Sequence, residues 1–235
     1  MCGNEQQPGD DQGTVPGLSR IIGGLAHEIK NPLSTITLNL KLLGEDISRF
    51  HNEPHARIKR RLEVVRNEAE RVKLILDDFL KCAGKYEIQA EETDFRNTIE
   101  ELRDFLAPQA EATGVIFRTS LPDSPVICRI DVKLIKQAIL NLVLNAIEVM
   151  DKGGELLLKT FVFEGRAVME IIDTGPGIPS DRIEKIFTPY YSTKKSGSGL
   201  GLPIARRIIE DHNGTIEVES EDGKGTRFIV KLPLV

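Results

Sequence analysis

The chain has 235 residues, 40% hydrophobic and 29% charged, an ordinary balance for a soluble globular protein of one large or two small domains. A net charge of −5, no tryptophan and 5% aromatic content argue against nucleic acid or an anionic membrane as the main partner, because both select basic surfaces. Cys2, Cys82 and Cys128 lack metal-ligand spacing and fit a reducing cytoplasm, and no apolar run approaches the roughly 20 residues that span a bilayer.

Residues 1–17, MCGNEQQPGDDQGTVPG, are polar, carry glycine and proline without an apolar signal core, and read as a disordered tail. Residues 18–84 carry two helical patterns. Ile22, Ala26, Ile29, Leu33, Ile36, Leu40, Leu43, Ile47 and Phe50 recur at steps of four and three, and Ile58, Leu62, Val65, Ala69, Val72, Leu76 and Phe79 do the same. This alternation is a heptad seam with apolar a and d positions. The short link HNEP predicts an antiparallel hairpin, with Pro54 in the first turn of the second helix. A lone hairpin leaves much of its seam exposed, so two copies are expected to pair into a four-helix bundle. Pro32 lies inside the first helix, where an interior proline costs about 3 kcal/mol. It is expected to bend the helix just past His27.

From residue 85 to 235 helices and strands mix. DFRNTIEELRDFLAPQAEATG predicts a helix with an Asp cap, VIFRTS and PVICRI predict strands, and DVKLIKQAILNLVLNAIEVM predicts an apolar helix stopped at Gly153-Gly154. ELLLKTFVF and AVMEIID predict a hairpin through EGR. GLPIARRIIEDHNG predicts a helix ending at Asn213-Gly214, both suited to a left-handed cap, and TIEVES with GTRFIVKL predicts a closing hairpin. The fold class is therefore α+β, with a sheet covered by helices behind the N-terminal helical hairpin.

Three stretches carry chemistry. Gln137, Asn141, Asn145 and Glu148 interrupt the apolar helix at steps of four, four and three, which stacks them on one face. Such a stripe is either a buried hydrogen-bond network or the wall of a polar ligand cavity whose amide oxygens suit a hard cation such as Mg2+. IIDTGPGIP ends a strand in Asp173 and turns through Gly175 and Gly177. That is either ordinary turn chemistry or a close approach of backbone and carboxylate to a ligand. FTPYYSTKKSGSGLGLPIA leads a lysine-bearing loop into Gly197, Gly199 and Gly201 at a helix start, where backbone N–H groups cradle phosphate.

The order N-x-x-x-N, DTGPG, FTPYYSTK, GSGLGL and GKGTRF resembles the Bergerat-fold (GHKL) ATP-binding domain of two-component sensor histidine kinases, and AHEIKNPL resembles their phosphoacceptor box. The resemblance covers residues 18–235 with every motif in order. It implies a dimerisation and histidine phosphotransfer domain at 18–84 and a catalytic ATP-binding domain at 85–235. It implies ATP and Mg2+ as cofactors, with Asn145 binding the metal and Asn141 beside it. Asp173 would accept from the adenine amino group, Gly175 and Gly177 would line the base pocket, and Thr226 would lie near the adenine end. Phe187 to Gly197 would be the ATP lid, with Lys194 or Lys195 near the phosphates, and Gly199, Leu200 and Gly201 would hold the phosphate chain. Glu148 stands where some members carry Lys, which passes that task to the lid lysines or Arg182.

In the heptad register His27 and Glu28 fall at b and c and Asn31 at f, so all three face solvent. An exposed histidine is usually inert. As a nucleophile it must be neutral with one nitrogen free, and a carboxylate such as Glu28 accepting from Nδ1–H leaves Nε2 to attack. The resemblance assigns His27 as the phosphoacceptor and implies transfer to an aspartate on a response regulator receiver domain. Glu28-x-x-Asn31 resembles the pattern of members that also dephosphorylate that partner. Hydrolytic relatives of the gyrase or chaperone type place a Glu where Asn141 stands, and serine kinases of this fold lack a His-bearing hairpin. The expectation is a cytoplasmic, homodimeric histidine kinase core with no membrane segment in these residues.

Overall fold

The computed structural model describes residues 16–49, 55–83, 88–193 and 199–235. The chain divides into two compact units, residues 1–75 and 76–235. Two long helices, α1 (Pro16–Arg49) and α2 (His55–Ala83), are the pair that the heptad patterns predict. Helix α1 already begins at Pro16, inside the stretch read as tail. Residues 1–15, the HNEP link and residues 84–87 lie outside the described residues. In α1, Pro32 is buried, and the turn after it is tied by side chains. Ser34 Oγ, Thr35 Oγ1 and Thr37 Oγ1 donate to the carbonyls of Lys30, Asn31 and Leu33, a back-bonding that favours bending.

The second unit holds β1 (Glu91–Asp94), α3 (Phe95–Ala112), β2 (Val115–Ser120), β3 (Ile127–Ile130), α4 (Val132–Val149), β4 (Gly154–Phe163), β5 (Arg166–Asp173), α5 (Gly201–Asp211), β6 (Thr215–Ser220) and β7 (Thr226–Pro233). The main sheet has the order β2-β4-β5-β7-β6, with β2 parallel to β4 and every other pair antiparallel. Alternation decides its faces. Leu156, Leu158, Met169, Ile171, Phe228, Val230 and Leu232 point inward and are buried with Ile99, Leu106, Ile139, Leu142, Ile204 and Ile208 of α3, α4 and α5. The opposite face carries charge: Arg227 bridges Glu170 and Glu219, and Lys231 pairs with Glu217.

Three details depart from the sequence reading. β3 leaves the main sheet and pairs with β1, which polar EETD does not announce; Asp94 ↔ Ile127 and Glu91 ↔ Ile130 set the register. The β4–β5 turn is the pair Glu164-Gly165, both at positive φ (49° and 71°), and Arg166 belongs to the strand. At the end of α5 only Asn213 is left-handed (φ 57°). Gly214 serves close packing instead, since a Cβ there would lie 2.7 Å from the Lys231 carbonyl oxygen.

Caps fix where the helices start. Asp94 accepts from the N–H groups of Arg96 and Val126, and the Arg96 guanidinium beside it holds its carboxyl below the ordinary range. Asp131 caps α4 through the N–H groups of Lys133 and Leu134 and also accepts from Gln89. Burial pushes its carboxyl upward, but those three bonds outweigh it and the net shift is down. Cys128 is fully buried, and burial pushes its thiol up to about 11, an inert state.

Candidate functional site

A cleft of about 630 Å3 opens between α4, the loop after β5 and the start of α5. The polar stripe resolves in favour of a cavity wall: Asn141, Asn145 and Glu148 line the cleft, while half-buried Gln137 does not. Asn141 Nδ2 donates to the Gly201 carbonyl at 3.1 Å, tying α4 to the first residue of α5. Gly199 and Gly201 line the facing side. Gly199 has φ +67° and lies so close to the chain at Tyr190 that a Cβ would come within 2.7 Å of its carbonyl carbon. Tyr190 N–H donates to the Gly199 carbonyl at 3.1 Å, so the backbones on either side of residues 191–198 are joined. Tyr190 itself has φ 62°, a strained conformation for an aromatic residue. Leu200 is fully buried, with its side chain in the core, so a phosphate contact from it would come from the main chain. Lys194 and Gly197 lie outside the described residues.

The other end is built from β5 and the β6–β7 hairpin. Asp173 is 4% exposed, and its Oδ1 accepts from Gly175 N–H at 2.8 Å and Thr226 N–H at 3.2 Å. Burial raises its carboxyl above the ordinary 3.8, and the two N–H bonds oppose that rise. Gly177 lines the cleft at φ +74°, where a Cβ would lie 2.1 Å from the Glu221 carbonyl oxygen, so only glycine fits. Asp173, Gly175 and Thr226 meet one another and are not among the residues that line the cleft. Leu144, Val149, Ile178, Pro179 and Ile186 supply apolar wall suited to a planar base.

The residues fit Mg-ATP. A glycine-rich helix start faces two asparagines and a carboxylate across the cleft, giving N–H donors for phosphate and oxygen donors for a hard cation. Arg182 is the one cationic side chain among the described lining residues. Leu144 and Asp222 also line the cleft, and sequence reading did not single them out, whereas Tyr191, which lines it too, falls in the stretch read as the ATP lid. Leu144 has a helical signal, three residues after Asn141 on the same face.

In the other unit, His27 and Glu28 lie in α1, and their side chains lie outside the described ones. Asn31 is exposed one turn after His27.

Comparison with known proteins agrees with this geometry. Residues 130–235 match the family described as histidine kinase-, DNA gyrase B- and HSP90-like ATPase, and residues 18–83 match the His Kinase A (phospho-acceptor) domain. Sporulation kinase C of Bacillus subtilis is 31% identical over 92% of this chain and 49% of its own length. Sensor histidine kinase ZraS of Escherichia coli K12 is 30% identical over 92% of this chain and 46% of its own. The chain thus spans about half the length of these relatives. The catalytic domain of histidine kinase ThkA is 32% identical, covering 62% of this chain and 95% of that one, with a TM-score of 0.57. The structure of ThkA in complex with response regulator protein TrrA aligns with a TM-score of 0.71 at 26% identity, covering 93% of this chain and 62% of that one.

Proposed function

The chain belongs to the two-component sensor histidine kinase family, and from that premise we propose that it phosphorylates His27 from Mg-ATP and passes the phosphoryl group to an aspartate of a response regulator. The observation that carries the reading is the placement of Asn141 and Asn145 opposite Gly199 and Gly201 across one cleft. Asn145 would hold Mg2+, with Asn141 beside it, and the ion would supply charge neutralisation at the phosphates when bound. The N–H groups at the start of α5 and the Arg182 guanidinium would hold the phosphate chain, and Asp173 would accept from the adenine amino group. Neutral His27, its Nδ1–H held by Glu28, attacks the γ-phosphorus through Nε2. The N–P bond forms as the bond to the β-γ bridging oxygen breaks, and ADP leaves. Two copies pair through the α1–α2 seam. Exposed Asn31 supports a second activity, orienting a water for hydrolysis of the partner's aspartyl phosphate.

Incubation with radiolabelled Mg-ATP tests the reading. We expect acid-labile label on the wild type, none on His27→Gln, and loss of at least roughly a hundredfold on Asn145→Ala with the dimer intact. Label persisting on His27→Gln would refute the phosphoacceptor, and undiminished labelling of Asn145→Ala would refute the metal role. Transfer of the label to purified receiver domains then identifies the partner.

A further inference from the structure

Ser220 ends β6 directly opposite Thr226 of β7. Its Oγ lies 2.8 Å from the Ile178 nitrogen, 2.7 Å from the Gly225 carbonyl oxygen and 3.1 Å from Thr226 Oγ1. A serine hydroxyl has one proton and two lone pairs. The Gly225 carbonyl can only accept, so it takes the proton. The Ile178 N–H can only donate, so it takes one lone pair. The contact that remains has a single solution: Thr226 Oγ1–H donates to the second lone pair of Ser220. Thr226 is 7% exposed, its proton is committed, and its hydroxyl keeps acceptor capacity alone.

The neighbouring group has the same polarity. Asp173 accepts from the Thr226 and Gly175 N–H groups, and as a carboxylate it has only lone pairs to offer. Ser220 also braces this end mechanically. Its bond to Ile178 runs beside that from Gly223 N–H to the Pro176 carbonyl at 2.7 Å, and the two staple the β6–β7 turn to the loop lining the cleft.

We propose that Ser220 is a specificity-determining positioning residue. By fixing the direction of the Thr226 O–H, it leaves the base end of the nucleotide site with acceptors only. Such an end matches a purine that carries a 6-amino group, directly or through one bridging water, and turns away a 6-oxo purine. The 6-oxo oxygen would face lone pairs and go unpaired, the kind of mismatch by which hydrogen-bonding sites discriminate best. Without Ser220 the Thr226 hydroxyl is free to rotate and donate to a 6-oxo group. The inference rests on the proposed reading that the base lies against Asp173 and Thr226.

The test is the ratio of ATP to inosine triphosphate affinity, measured by titration of the full chain with Mg2+ present. The wild type is expected to prefer ATP. Ser220→Ala is expected to narrow the ratio by roughly five- to tenfold, the worth of one hydrogen bond, mainly through tighter inosine triphosphate binding. Ser220→Thr, which keeps the hydroxyl, should restore the ratio. A merely structural serine would weaken both nucleotides alike, so an unchanged ratio in Ser220→Ala overturns the proposal. Should that variant not fold, Ser220→Cys, a weak donor of similar size, must narrow the ratio, and an unchanged value again overturns it. Asp173→Asn separates the two levels of the argument. If it leaves the ratio of the wild type intact, the base does not lie at Asp173 and the site reading itself fails. If it collapses the ratio while Ser220→Ala does not, only the role of Ser220 falls.

Discussion

Asp173 sets stability against the role proposed for it. Its folded-state affinity for the proton is raised by burial, so the folded chain binds that proton more tightly than the unfolded chain does. The associated stability is fully present below the ordinary value of 3.8 and is lost as pH rises through the raised native value. At pH 7 the buried carboxylate therefore costs stability. Asparagine keeps an oxygen for the Gly175 and Thr226 N–H groups without the charge. We expect Asp173→Asn to melt a few degrees higher than the wild type at pH 7, the scale of about 1 kcal/mol, and to lose that advantage below pH 3.8. If the adenine amino group lies at Asp173 as proposed, the new amide donor would face it, and ATP affinity should fall by roughly tenfold or more. Thermal melts across pH and a nucleotide titration check both signs; a lower melting temperature at pH 7 would contradict the burial argument. Asp173, Asn141 and Asn145 were legible because one strand end and one helical spacing place them. Ser220 was not, since its role depends on the β6–β7 register that sets it against Thr226.

Among the elements, α4 and α5 must hold their relation for the cleft to exist, and His212 joins their far ends. It is 4% exposed; its Nδ1–H donates to the Ile208 carbonyl at 2.7 Å, and its Nε2 accepts from the Asp131 N–H at 3.0 Å. The pattern assigns the neutral ring with its proton on Nδ1. His212→Ala leaves the Asp131 N–H without its partner and opens a void, at a cost of about 2–4 kcal/mol. It should also weaken ATP binding, because the Asn141–Gly201 bond rides on the same two helices. A denaturant midpoint and an ATP titration check this; wild-type stability in the variant would show the clamp to be idle. Sequence reading placed His212 only as a helix-end residue, because its partner is 81 positions away. Helix starts were readable at Asp94 and Asp131, whose caps act within three residues. Strand β1 was not, since four polar residues become a strand only by pairing with β3. The two interior prolines also differ in setting: Pro108 faces solvent on α3, whereas Pro32 is buried on α1 four residues after the Glu28 carbonyl it leaves without an amide.

At the scale of the whole molecule, the seam read from heptad spacing is incompletely covered in one copy of the chain. Leu33, Leu40, Leu62 and Leu76 are exposed by 48%, 50%, 50% and 41%, at positions where an apolar side chain gains only from a partner. In the proposed dimer a second copy would supply that cover by packing seam on seam. Leu62→Lys should therefore place a charge in each half of the bundle and weaken the dimer by about 3 kcal/mol, roughly two decades in dissociation constant. Among the described residues the cleft is lined by residues from Asn141 to Asp222, and residue 62 is not one of them. Sedimentation equilibrium should show the variant dissociating at concentrations where the wild type remains dimeric, while ATP affinity stays within about twofold. A variant that dimerises as the wild type does would mean that these leucines face something other than a second chain. A variant that dissociates and also loses ATP would mean that the cleft depends on the pairing, and that the two units do not act independently.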